Sequence, residues 1–139
     1  MTTIPEIADI AKEFFRTLLK EREVYKKIRD NSNQTAEKEF YNGYADTLTA
    51  ECLSLKGFME NGEVYKNYQE EFKWKRDFYH KQMNETKITQ LEPANYYSGI
   101  NHASKYLDDS YGSAVERMAN IELAKRNQKR NQRKKDKRH

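Results

Sequence analysis

NYYSGINHASKYLDDSYGSAVERMANIELA, residues 95–124, sets Tyr96, Ile100, Ala103, Leu107, Tyr111, Ala114, Met118 and Ile121 at successive spacings of three and four. That spacing is one apolar face of an α-helix and fits no strand, where the period is two. Gly99 and Gly112 interrupt the segment, each weakening a helix by about 1 kcal/mol relative to Ala. The helix is predicted to start near Pro93 or Asn95.

Three more segments upstream repeat the pattern. Ile4, Ile7, Ala11, Phe14, Leu18, Tyr25 and Ile28 form one stripe, with Thr3 and Glu6 as a capping-box pair ahead of it. Asp30-Asn31-Ser32-Asn33 then offers side chains that compete with the backbone and predicts a break. Tyr41, Tyr44, Leu48, Cys52, Leu55 and Phe58 form a second stripe, ended by the helix stop Asn61-Gly62. Tyr65, Tyr68, Phe72, Tyr79 and Met83 form a third. Residues 84–93 read as a connection. The fold class expected is all-α: a small antiparallel bundle of about four helices. The first and last helices also keep near-heptad spacing, which suits either intrachain packing or a two-chain coiled coil.

Composition agrees. Gly (5) and Pro (2) are too few among 139 residues for a turn-rich β fold. No apolar run exceeds two residues, so neither a membrane span nor the apolar core of a secretory signal is expected, and the reading is cytoplasmic. A single cysteine permits no internal disulfide and no cysteine-rich zinc module. Leu, Ile, Val and Phe total only 24 residues, so the ten Tyr must supply much of the core. So thin a core also admits a second copy of the chain as partner.

The net charge of +4 averages two unlike parts. Residues 125–139, KRNQKRNQRKKDKRH, hold nine Lys or Arg and one acid, a net of +8. Residues 1–124 hold 17 basic and 21 acidic residues, a net of −4. The domain reading is therefore a bundle over 1–124 and a basic tail over 125–139. Lys125, Lys129, Arg133 and Lys137 share one helical face, and Arg126, Arg130, Lys134 and Arg138 share the next. Like charges four apart repel, so a helical extension here is expected to fray when free. A polyanion removes that repulsion. With Lys135, these nine cations are the expected phosphate-binding residues of a nucleic-acid or nucleoprotein ligand. No pattern in the tail alone specifies a base. No Phe, Trp or Leu accompanies the cations, so a membrane surface is a poorer match.

Residues 64–83 interleave rings with cations, including Lys73, Trp74, Lys75, Arg76, Phe78, His80 and Lys81. Stacking on unpaired bases and anchoring of a protein partner both use that composition. Trp74 and Phe78 fall off the main stripe. With Arg76 they are the expected protein-interface residues.

Signals for catalysis are weak. Asp77 and His80 are three apart but lack further metal ligands and read as a surface pair. His102 has no acid three or four residues before it. Cys52 lies on an apolar stripe and reads as a small buried hydrophobe. Glu70-Glu71 and Asp108-Asp109 read as solvated charge, and no Gly-rich phosphate loop occurs. No catalytic residue, metal site or cofactor is expected. The leading expectation is a non-enzymatic binding protein that engages nucleic acid through its tail. The alternative is a protein-directed regulator or inhibitor, such as a phage or mobile-element antagonist of a host defence enzyme, acting through the bundle. A coiled-coil assembly factor is the third.

Overall fold

A computed structural model describes residues 5–60, 67–89 and 95–137. They form four α-helices and no strand: α1 (Pro5–Asn31), α2 (Thr35–Glu60), α3 (Tyr68–Thr89) and α4 (Asn95–Lys137). Each helix runs antiparallel to the one before it. Tyr25 stacks on Tyr44 across α1 and α2, and Phe58 meets Tyr68 edge-on across α2 and α3. Glu6–Lys125 and Glu13–Arg117 ion pairs align α1 with α4 in opposite directions.

Local chemistry explains both ends of α1 and the start of α3. Pro5, whose missing N–H is no loss in a first turn, opens α1. The Ser32 hydroxyl donates to the Ile28 carbonyl at 2.7 Å, and the Ser32 N–H to Arg29, closing α1 where a break is predicted. Asn67 caps α3: its Oδ1 accepts the Glu70 N–H at 3.1 Å, and Glu70 and Glu71 oppose the positive helix end. The Thr3–Glu6 capping box, Ile4, the Asn61-Gly62 stop, Tyr65 and Pro93 involve positions outside the described residues. One boundary is corrected. Asn84–Thr89, expected to be a connection, continues α3. Asn and Thr are only mildly poorer helix formers than average, and a Lys81–Glu85 pair at i,i+4 supports this turn.

The core is aromatic, as the composition requires. Phe14, Phe72 and Tyr111 pack ring against ring at 4.3–5.1 Å between centroids, joining α1, α3 and α4. Leu18, Leu48, Leu55, Leu107 and Met118 fill the space around them. The apolar stripes of α1 and α4 thus meet their partners within one chain. Ile28 and Tyr96, at the stripe ends, stay exposed.

α2 and α4 approach backbone to backbone. A methyl group built on Gly43 would lie 2.0 Å from the Tyr96 carbonyl oxygen, and one on Gly99 would lie 1.9 Å from that of Phe40. Gly99, which looks like a mere weakness in the α4 stripe, is what lets the two helices touch. The Tyr96 hydroxyl donates to Asp46 at 2.9 Å across the same crossing.

Candidate functional site

Seven of the nine tail cations have described side chains, and these fall into two groups. Lys125 reaches back to Glu6 at 3.1 Å, and Arg126 pairs with Glu122. Hydrogen bonds from its own backbone and then from Lys125 hold the Glu6 carboxyl below the usual range. Past this tether α4 continues, and every side chain from Arg126 to Asp136 is exposed. Lys129, Arg130, Arg133, Lys134 and Lys135 make no ion pair with an acid among the described residues. Asp136, the tail's one acid, accepts from the Gln132 amide at 3.4 Å. Lys137 ends the helix, and Arg138 lies outside the described residues.

The extension expected to fray is helical through Lys137. Its Lys, Arg and Gln are good helix formers, and the Glu122–Arg126 and Gln132–Asp136 pairs lie at the favourable i,i+4 spacing. The Lys125–Glu6 bridge holds its root against α1.

The second feature is a cleft of about 400 Å³ between α2, α3 and the start of α4. Trp74 and Phe78 form one wall, their rings stacked at 5.7 Å and 18°. Both are exposed, Trp74 at 62%. Arg76 does not join them. It lies on the other side of α3, its Nε 3.3 Å from Asp77 and its stem near Gly112 on α4. The three expected interface residues are thus divided between two faces.

The floor of the cleft is a buried polar network that stripe reading missed. Lys75 donates to Glu51 Oε2 at 2.9 Å and to Ser54 at 2.8 Å, and Glu71 stands 3.9 Å away. The Tyr79 hydroxyl donates to Glu51 Oε1 at 2.8 Å, and the Tyr111 hydroxyl to Oε2. Lys75 is 1% exposed and Glu51 3%. The cation counted among those of the aromatic–basic stretch is therefore not available to a ligand. A signal existed: Lys75 falls between Phe72 and Tyr79 at spacings of three and four, and Glu51 sits three after Leu48 and four before Leu55.

Burial, and after it the charge of Glu51 and the hydrogen bond to it, push the Tyr79 and Tyr111 phenols well above the usual tyrosine range. Burial likewise raises Tyr44, followed by its hydrogen bond with Tyr25. Above about pH 10 the unfolded chain releases these protons while the native state keeps them, so the unfolded state binds fewer and stability falls. Each such phenol removes about 1.4 kcal/mol per pH unit. Helicity is expected to hold to about pH 10 and then collapse cooperatively, phenolate absorbance of the buried tyrosines rising in the same transition. Ionisation of all the tyrosines near pH 10 with helicity intact would contradict this account.

The catalytic candidates stay dispersed. His80 pairs with Asp108 on α4 at 3.0 Å, correcting the expected Asp77–His80 pair, and Asp77 turns to Arg76. His102 Nδ1 lies 2.8 Å from the Ser98 carbonyl. Cys52 is buried, and desolvation raises its thiol. No group of three His, Cys, Asp or Glu among the described residues could hold a metal ion. No described helix is long and apolar enough to cross a membrane.

No protein-family model matches the chain, and neither does any curated protein or solved structure.

Proposed function

We propose that the protein is a non-enzymatic binding protein that engages nucleic acid or a nucleoprotein through the basic extension of α4. The supporting observation is the run of five exposed cations, unpaired with any described acid, on a helix past the Lys125–Glu6 tether. The body carries a net negative charge, so its own field disfavours a second polyanion contact and concentrates binding on the extension.

Deleting residues 127–139 tests this reading and leaves the Lys125–Glu6 tether and the Arg126–Glu122 pair in place. The full chain should bind labelled nucleic acid with an affinity that falls steeply with salt. Neutralising five phosphates corresponds to a log–log slope of about −4.5, or several hundredfold between 50 and 200 mM salt. The truncated chain should lose that binding while keeping its helicity. Equal binding by both forms would sink the proposal.

A protein-directed role for the bundle is the second reading, favoured by the exposed Trp74–Phe78 stack, since aromatic anchors are enriched at interfaces. A partner captured from native cells equally well after nuclease treatment, and lost on Trp74→Ala, would favour it over the first.

A further inference from the structure

We infer that the extension recognises B-form duplex DNA by lying in the major groove, with Arg126, Arg130 and Arg133 directed at guanine edges. The inference rests on the nucleic-acid reading above and assigns its ligand. Its basis is the continuous helix through Lys137, which gives each tail residue a defined angular position. At 3.6 residues per turn, Arg126, Arg130 and Arg133 fall within an arc of about 60°. Lys129 flanks that arc by about 40° on one side and Lys134 by about 40° on the other. From Arg126 to Lys134, arginine thus occupies the centre of the cationic face and lysine its two edges; Lys137 falls on the same central line a turn further on, and Lys135 on the opposite side.

The two residue types suit those places. The planar guanidinium fork matches the paired acceptors O6 and N7 of guanine, whereas a lysine ammonium serves as a point charge for phosphate. A helix seated in the groove presents its centre to the base edges and its flanks to the two backbones. Arg126 to Arg133 spans about 10 Å of helix axis, or three base-pair steps at about 3.4 Å each. The Arg126–Glu122 pair is exposed and therefore weak, so a guanine edge can displace it. The A-form groove of duplex RNA is too deep and narrow for such a helix to read. Asn127 and Asn131 lie beyond the Lys134 edge, where an amide meets the backbone.

The test titrates the full chain against a labelled DNA duplex carrying a run of three guanines. The comparison ligands are the RNA duplex of the same sequence, an A·T-only DNA duplex, and the guanine duplex with 7-deazaguanine, which lacks the N7 acceptor. The guanine duplex should bind tightest, with the 7-deaza substitution costing roughly tenfold or more. Arg130→Lys keeps the charge but loses the fork and should cost as much, while Lys134→Arg should leave the preference unchanged. Both positions are exposed, so folding is unaffected. If RNA binds equally well, or 7-deazaguanine and Arg130→Lys change nothing, while deletion of 127–139 still abolishes binding, the groove inference is overturned and the nucleic-acid reading stands. If no nucleic acid binds, both fall.

Discussion

Glu51→Ala should destabilise the bundle by about 3–5 kcal/mol, a large share of the stability expected for a domain of this size. Two terms add. Lys75, with its ammonium almost wholly out of water, loses its principal counterion. The hydroxyls of Tyr79 and Tyr111 lose their acceptor in the same step. Ser54 and the distant Glu71 compensate only in part. Lys75→Met should cost a similar amount by leaving the Glu51 carboxylate with phenol donors alone. The combined variant Glu51→Met with Lys75→Met should recover much of the loss, because no unpaired charge remains. Adding Tyr79→Phe and Tyr111→Phe should recover more by removing the two orphaned donors. Urea unfolding of the series measures each step. A single-variant loss below about 1 kcal/mol would mean that water reaches the pair and the network is not a sealed core element.

The network marks where sequence reading stops. Helical periodicity registers apolar residues, so Leu48, Cys52, Leu55, Phe72 and Tyr79 all fall on the face they occupy. Glu51 and Lys75 share those faces, but each alone looks like surface charge. Their burial is favourable only because α2 and α3 bring them within 2.9 Å of each other, a fact of pairing between helices that no single stripe contains. His80 shows the same limit, since its acid comes from α4 and not from the neighbouring turn. The charge division at residue 125 was fully legible, because it is a property of the chain in one dimension. That Lys125 serves the body was not, because its partner Glu6 is distant in sequence. Helical angle alone places Trp74 and Phe78 off the stripe, and the same angle sets Arg76 apart from them. Clean local caps and stripes account for the agreement on four helices.

Replacing glycine by alanine should change sign from site to site along the chain. Helix propensity alone favours alanine by about 1 kcal/mol at any interior helical glycine. At Gly57 an added methyl group meets nothing within 4 Å, so Gly57→Ala should stabilise by about that amount. At Gly112 its nearest neighbour is the flexible Arg76 stem at 3.6 Å, an ordinary contact, and a smaller gain is expected. Gly43 and Gly99 oppose the trend. Their added methyls would fall within 2.0 Å of backbone carbonyl oxygens on the facing helix, and backbone atoms cannot rotate aside. α2 and α4 must separate, which opens gaps beside Tyr44 and Ile100 and strains the Tyr96–Asp46 hydrogen bond. Overpacking of this kind typically costs about 1–3 kcal/mol, and two backbone clashes under 3 Å at Gly43 and three at Gly99 place these variants at or beyond the upper end. A net loss of about 2 kcal/mol or more is therefore expected for Gly43→Ala and for Gly99→Ala. The double variant should lose less than the sum, since one separation of the helices relieves both clashes. Thermal unfolding of the four single variants beside the parent decides the matter. If Gly43→Ala and Gly99→Ala stabilise as Gly57→Ala does, the α2–α4 crossing is looser than a backbone contact, and the position of Tyr96 at the cleft would not depend on it.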